Sequence, residues 1–145
     1  ALSFNAKLTH LDLGFNWIGA SGAASLSHAI SVNSSLTNLN LTNNKIGSSG
    51  VASLSSSLSV NQSLTNLNLC GNKIDDSGVT ALSQALLANT KLTDLNLDCD
   101  KSGFFCLVDA LLVNTSLAHL ILNGQNIDLA GDGLMSLIDL ADLDI

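Results

Sequence analysis

Leucine and polar residues alternate at regular intervals along this chain. Leu11 and Leu13 flank one polar residue, and each is followed by a polar or small residue. The same pair returns at Leu39 and Leu41, Leu67 and Leu69, and Leu95 and Leu97. A period of two is typical of short strands with one buried face. The pattern therefore predicts a series of strands, each contributing leucines to a common core.

These strands belong to a longer repeat. Segments 8–35, 36–63 and 64–91 follow the pattern LxxLxLxxNxIxxSGxxxLxxxLxxNxx. A shortened copy covers 92–116, a fifth spans 117–145, and residues 1–7 match the tail of a repeat. Repeats that each supply one structural unit predict a solenoid, because each unit buries its apolar face on its neighbours. We expect residues 1–145 to form a single repeat domain.

Polar residues recur at fixed positions between the apolar ones. Asn16, Asn44 and Asn72 share one turn position, where an amide can satisfy buried backbone groups. Asp100 and Gln125 take this place in the last two repeats. Ser21, Ser49, Ser77 and Ser102 are predicted helix N-caps. Asn33, Asn61, Asn89 and Asn114 follow the helices, where a left-handed residue is expected.

The unequal widths of strands and helices predict the overall shape. Neighbouring strands lie about 4.8 Å apart, whereas packed helices need about 8–10 Å. A stack of strand–helix repeats therefore bends. We predict an α/β solenoid, a segment of a horseshoe, with a parallel sheet on the concave face and helices on the convex face.

The repeat resembles the ribonuclease-inhibitor-like class of leucine-rich repeats. That class includes ribonuclease inhibitor, the repeat domains of NLR-type receptors and the Ran GTPase-activating protein. The resemblance implies a non-catalytic protein-binding module that uses the concave face and its loop rim. Two alternatives remain: a structural spacer within a larger receptor or bacterial effector, and a Ran-type GTPase activator, which rests on analogy of fold alone.

Composition and charge limit the partners. The net charge is −7, and the chain contains neither Arg nor Glu. Nucleic-acid binding requires clustered cations, so it is not expected. The acidic balance suits a basic protein partner, or serves solubility alone. No apolar run approaches the roughly 20 residues that span a bilayer, so no membrane association is expected.

Cysteine usage and the chain start suggest the compartment. Three cysteines do not form a secretory disulfide framework, and reduced thiols are favoured over a pairing of Cys70 with Cys99. No signal peptide is visible at the start. We expect a cytoplasmic protein, in the host cytoplasm if it is a bacterial effector. Because residues 1–7 match only the tail of a repeat, we also expect further repeats or domains of the same polypeptide on the amino-terminal side.

No group of residues predicts catalysis, a cofactor or a metal. His10 and His119 occupy the same repeat position, but four strand spacings, about 19 Å, would separate them. Cys70 has no histidine expected near it. Asp94, Asp98 and Asp100 crowd one repeat without a calcium-binding loop motif, which favours a solvated acidic patch.

Binding is expected on the exposed strand positions and at one loop. The candidate residues are His10, Asp12, Phe15, Trp17, Asn38, Asn40, Asn66, Asn68, Asp94 and Asn96. Phe15 and Trp17 stand where other repeats have small or polar residues, so they are either partner anchors or a packing surface for a preceding repeat. Thr9, Thr37, Thr65 and Thr93 precede these positions on the same face.

The fourth repeat is predicted to be locally irregular. It lacks three residues where the third repeat has Ile74, Asp75 and Asp76. Phe104 replaces a small residue of the other repeats, and we expect its ring to fill the space left by the missing isoleucine.

Overall fold

Short strands and helices alternate along the chain. The structure, a computed structural model, describes residues 2–129. Its strands are β1 (His10–Asp12), β2 (Asn38–Asn40), β3 (Asn66–Asn68), β4 (Asp94–Leu97), β5 (His119–Leu122) and β6 (Gln125–Asp128). Its helices are α1 (Gly19–Val32), α2 (Gly47–Leu58), α3 (Asp76–Ala88) and α4 (Lys101–Val113), and a 3₁₀ turn spans Leu2–Phe4.

The strands form one sheet in chain order. β1 to β5 pair in parallel, each residue beside its equivalent in the next repeat, as His10 lies beside Asn38. Among the helices of the described part, α1 packs on α2, α2 on α3 and α3 on α4. The prediction of an α/β solenoid with a parallel sheet and a helical outer layer is confirmed.

The core lies between the sheet and the helices. Leucines from the middle of each strand meet apolar residues from the helices, and most are almost fully buried. Leu11 and Leu13 of the first repeat are only partly buried, whereas their equivalents Leu39 and Leu41 are buried. The first repeat is therefore the edge of the core in the described residues.

The asparagines of the turn form a ladder that ties neighbouring repeats together. The Asn72 amide donates to the carbonyls of Leu41 and Leu69, both at 2.8 Å. Its oxygen accepts the backbone N–H groups of Asn44 and Ile46. Asn44 repeats this arrangement toward the first repeat. An asparagine suits the position because one side chain can donate and accept at once.

A second ladder runs along the asparagines that follow the helices. The Asn61 amide donates to the carbonyls of Ile30 and Asn33, and its oxygen accepts from Ser63 and Leu64. Asn33, Asn89 and Asn114 are equivalent. The predicted left-handed conformation is wrong, because Asn33, Asn89 and Asn114 are extended, with ψ of 121–130°. Extended backbone lets the side chain reach the preceding repeat.

The helices begin earlier than the serine pattern predicted. α1 starts at Gly19 and α2 at Gly47, so Ser21 and Ser49 lie within the first helical turn. In the last two helices an aspartate replaces serine as the cap. The Asp75 carboxylate accepts the N–H groups of Ser77 and Gly78, and Asp100 accepts that of Gly103. The serine N-caps are therefore wrong.

The fourth repeat is repacked around one aromatic ring. Phe104 is fully buried, although equivalent positions hold the small residues Ala23, Val51 and Val79. The predicted burial of this ring is confirmed, but the place beside the helix glycine that Ile74 takes next to Gly78 is taken next to Gly103 by Cys99. Its neighbour Phe105 is about half exposed on the outside of α4.

The last described strand departs from the repeat. Asn123 and Gly124 both have positive φ, 50° and 79°, and connect β5 to an antiparallel β6. An Asn-Gly pair is the preferred two-residue hairpin turn. Gln125 therefore begins a strand, where the repeat pattern predicted a turn position. The rest of the predicted fifth repeat, 130–145, lies outside the described residues.

Candidate functional site

Two rows of mostly polar side chains cross the sheet on either side of its central leucines. Successive side chains of a strand point to opposite faces, so both rows share the face away from the helices. The first row contains His10, Asn38, Asn66, Asp94 and His119. The second contains Asp12, Asn40, Asn68, Asn96 and Ile121. All eight strand residues predicted as candidates stand in these rows.

A column of threonines holds the first row in place. The Thr65 hydroxyl lies 3.1 Å from the Thr37 carbonyl and 2.8 Å from the Asn66 side-chain oxygen. Thr37 and Thr93 make the equivalent contacts, the latter with the Asp94 carboxylate. The threonines therefore have a structural role, and they turn the amide N–H groups of the neighbouring asparagines outward.

The second row is held by the strand ends. The Asn40 oxygen accepts the backbone N–H of Thr42, and its amide donates to Asp12 at 2.9 Å. The Asn68 oxygen likewise accepts the N–H of Cys70 at 3.0 Å. The oxygen of Asn96 is buried without a hydrogen-bond partner among residues 2–129. The shortened fourth repeat thus breaks the pattern of this row.

A shallow concavity of about 360 Å³ lies over the middle of the sheet. Its polar lining includes six of the ten predicted candidates, namely Asn38, Asn40, Asn66, Asn68, Asp94 and Asn96. His119 and Ile121 complete the carboxy-terminal side of the lining. His10, Asp12, Phe15 and Trp17 lie outside it. The candidates therefore divide into a central group and an amino-terminal group.

Charge is distributed unevenly around this face. All five lysines lie outside the strands, whereas Asp12, Asp94 and Asp128 lie on strands. The strands therefore carry aspartates and no lysine. Such a surface favours cationic groups on a ligand.

The loop after β1 exposes two aromatic rings, which we call the aromatic loop (Phe15 and Trp17). Phe15 is 72% exposed and Trp17 is 74% exposed. Both have positive φ, a conformation that is unfavourable for bulky residues. The equivalents of Phe15 are Asn43 and Gly71, which adopt it more readily. The Lys45 ammonium lies 3.1 Å from the centroid of the Trp17 ring.

The crowded aspartates have separate local partners. Asp98 accepts the Cys70 thiol at 3.0 Å and the Gly71 N–H at 2.7 Å. Asp76 accepts the Ser102 hydroxyl at 2.7 Å. Within residues 2–129 no cluster of His, Cys, Asp or Glu side chains has an arrangement that could hold a metal ion.

The cysteines near this cluster are free thiols. Burial, followed by the hydrogen bond and negative charge of Asp98, raises the pKa of Cys70 to about 11. Burial also raises the pKa of Cys99 to about 12, with Asp100 contributing. Because the thiolate is the nucleophile, both thiols are poor nucleophiles at neutral pH.

The fold and this site define a solenoid repeat protein that presents an open sheet surface. The family model described as "Leucine Rich repeat" matches residues 4–27, 32–55 and 60–83. The chain belongs to the leucine-rich-repeat family, and its repeats are of the ribonuclease-inhibitor-like type. No curated protein matches it by sequence.

Solved structures share this architecture over nearly the whole chain. "Leiomodin-1 Actin-Binding Site 2" superposes with a TM-score of 0.80 at 21% identity, over 97% of this chain and 83% of that one. The C-terminal domain of Caenorhabditis elegans tropomodulin superposes with a TM-score of 0.73 at 16% identity, over 94% of this chain and 83% of that one. At identities this low, the superpositions show a common fold alone.

We searched the described helices for one that could cross a membrane. None of the helices within residues 2–129 combines the length and apolarity that a bilayer span requires.

Proposed function

We propose that this chain is a non-catalytic protein-binding module that holds its partner against the concave face. The observation that carries the proposal is the concavity lined by Asn38, Asn66 and Asn68, whose side-chain oxygens are engaged internally. Their amide N–H groups donate no hydrogen bond to any other residue within 2–129. The face therefore offers free donors on two adjacent strands, Asn38 on β2 and Asn66 and Asn68 on β3.

Free amide donors suit the carbonyl and carboxamide oxygens of a polypeptide. Asn38 and Asn66 lie side by side on adjacent strands, about 4.8 Å apart, and the threonine column limits their rotation. Binding at a surface whose side chains are already fixed loses less conformational entropy. Asp94 in the same lining favours a lysine or arginine from the partner.

The aromatic loop supports a second contact region at the amino-terminal end. The exposed ring of Phe15 serves no evident need of the repeat, since Asn43 and Gly71 occupy its position elsewhere. Local strain at a bulky residue such as Phe15 is typical of functional sites, whereas Trp17 shares its positive φ with Lys45 and Lys73. Phe15 and Trp17 would then act as anchors. The alternative is that these rings pack against a preceding repeat.

Actin is a defined protein for a first test, because the leiomodin-1 structure that shares this fold is an actin-binding site. The likeness is one of fold, so actin is a probe rather than the expected partner. Free thiols and the lack of an expected secretory framework favour a cytoplasmic setting, where such an interaction would occur.

The proposal is tested by comparing three forms of the chain. The concave variant combines Asn38→Lys with Asn66→Lys, and the convex control combines Ser56→Lys with Gln84→Lys, which adds the same charge on exposed helix positions. We expect a partner, whether actin or a protein enriched by the wild-type chain, to bind the convex control normally. Affinity for the concave variant should fall at least about tenfold, since two fixed amides are replaced by two long, flexible cations that repel cationic groups of the partner.

Equal binding by all three folded forms would exclude the concave face. A structural spacer, the alternative function, predicts that the concave variant also retains biological activity. A Ran-type GTPase activator predicts stimulated GTP hydrolysis when the chain is added to Ran, and we expect no stimulation.

A further inference from the structure

A row of exposed apolar side chains follows one rim of the solenoid, where the helices end. Each of them is more than half exposed, and Phe4 is 91% exposed. The row, called here the apolar rim, consists of Phe4, Val32, Val60, Leu87, Leu112 and Val113. It lies apart from the concave lining and from the aromatic loop. A regular row of exposed apolar residues, unlike ones scattered singly, is a candidate interface.

The second asparagine ladder fixes the spacing of the apolar rim. Val32, Val60 and Val113 each directly precede a ladder asparagine. Phe4 precedes Asn5, whose oxygen accepts the N–H groups of Lys7 and Leu8 in the same way. Leu87 and Leu112 stand one residue earlier in their repeats. The row therefore has one turn of the solenoid between successive members.

The apolar rim also differs from the rest of the surface in charge. Its segments 4–7, 31–35, 59–63, 87–91 and 112–116 contain no acidic residue, although the chain carries a net charge of −7. Lys7 and Lys91 are the charged residues in these segments. Two acidic chains repel each other through most of their surfaces. This rim is where that repulsion is weakest.

We propose that the apolar rim binds the same rim of a second copy of this chain. A second copy has the identical spacing, so its side chains can follow the row over its full length. A twofold axis along the radius of the curved segment, passing near Val60, superimposes the two rims in opposite chain directions. Because this rotation maps an arc onto itself, curvature does not separate the surfaces.

The reversed order gives complementary neighbours. Val60 faces its own counterpart at the axis, Val32 faces the small Ala88, and Phe4 faces Val113. A surface hollow of about 200 Å³ between Val32 and Val60 can receive a side chain of the other copy. We expect a total buried area of roughly 1,000 Å², which is at the lower end for specific interfaces. The dimer should therefore form weakly and reversibly.

This dimer leaves the proposed partner-binding surface free. The concave rows lie on the strands, whereas the apolar rim lies at the helix ends, so both copies can hold a partner at once. Dimerisation and partner binding can therefore be measured separately.

Sedimentation equilibrium of the reduced protein tests the proposal, from about 5 to 500 µM, where mass action reveals a weak dimer. We expect monomers at the low end and dimers at the high end. Val60→Arg places two cations at the twofold axis, so the dissociation constant should rise at least about tenfold. Phe105→Arg replaces an apolar residue outside the rim that is also about half exposed, and this variant should dimerise as the wild type does.

Monomers at every concentration would overturn the proposal, as would a dimer that persists in folded Val60→Arg. Should that variant unfold, as judged by circular dichroism, Val60→Ser together with Val32→Ser provides the same test without added charge. A monomeric chain that binds phosphatidylcholine vesicles through Val60 would replace the second copy with a lipid surface, and so would also contradict the proposal.

Discussion

Asparagine does two different jobs in this chain, and the position in the repeat decides which. Asn44 and Asn72 lie in the interior and satisfy backbone groups of two repeats at once. Asn38 and Asn66 use their oxygens locally and keep their N–H groups available on the concave face. The same side chain is thus structural inside the solenoid and a potential recognition group on its surface.

Replacing Asn72 with alanine should strongly destabilise the fold. The substitution leaves the carbonyl of Leu69 and the N–H of Asn44 without a partner in the interior, and the carbonyl of Leu41 keeps only the Asn44 amide. We expect a loss of about 2–4 kcal/mol in the free energy of unfolding, measured by urea denaturation. Asn16→Ala, at the exposed end of the same ladder, should cost less than about 1 kcal/mol. Similar losses in both variants would contradict the assigned role.

The sequence was sufficient to place these residues but not to give all their conformations. The recurrence of Asn44 and Asn72 among leucines predicts a buried amide, because only a satisfied polar group is tolerated there. Asn33 was expected to be left-handed because asparagine favours that conformation at helix ends. Its side chain instead bonds to Leu2 and Asn5 of the preceding turn, a contact between repeats that local propensity does not encode.

At the scale of single elements, the residue before each helix decides whether a side chain caps its first turn. Asp75 caps α3 with its carboxylate, whereas the residue before α1, Ile18, provides no side-chain cap. Hydrogen bonds with Ser48 and then Ser77 lower the pKa of Asp75 to about 2. Ionised Asp75 therefore stabilises the folded state.

That stabilisation should disappear in acid. Because the folded pKa lies below the usual 3.8, the contribution is complete above about pH 4 and is lost as the pH falls toward about 2. Wild-type protein should be more stable than Asp75→Ala at pH 7, and the difference should shrink across this window. Thermal unfolding of both proteins at closely spaced pH values measures it. A difference that is unchanged down to pH 2 would contradict the assigned cap.

The ring inside α4 gives a second prediction at this scale. Phe104 is fully buried in the shortened repeat, so Phe104→Ala should leave a cavity and cost about 3–5 kcal/mol. Phe105→Ala removes the adjacent, half-exposed ring and should change stability by no more than about 0.5 kcal/mol. Urea denaturation of the two variants measures both effects. Equal effects would show that Phe104 does not fill the core.

The sequence could have revealed one element that the repeat pattern obscured. Asn123 and Gly124 form a standard hairpin signal between β5 and β6. The repeat alignment instead placed Gln125 at the turn position of the ladder, because the surrounding leucines fit the repeat. Periodicity over the whole chain thus outweighed a local signal that was correct.

At the scale of the whole molecule, the surfaces are formed by equivalent residues of successive repeats, which stacking places side by side. The strand pattern predicted the concave rows because the spacing of leucines fixes which side chains face outward. It could not predict that six candidates line one concavity while His10, Asp12 and the aromatic loop lie outside it. The sequence pattern also did not predict the apolar rim, because a valine at a helix end fits the apolar pattern of a helix whether it is buried or exposed.

The most direct test of the proposed binding face follows the side-chain amides themselves by NMR. Titrating isotope-labelled protein with its partner should shift the side-chain N–H signals of Asn38, Asn66 and Asn68. The buried ladder amides of Asn44 and Asn72 are an internal control and should stay close to their original positions. Unchanged signals from all three surface asparagines in a saturated complex would contradict binding at the concave face.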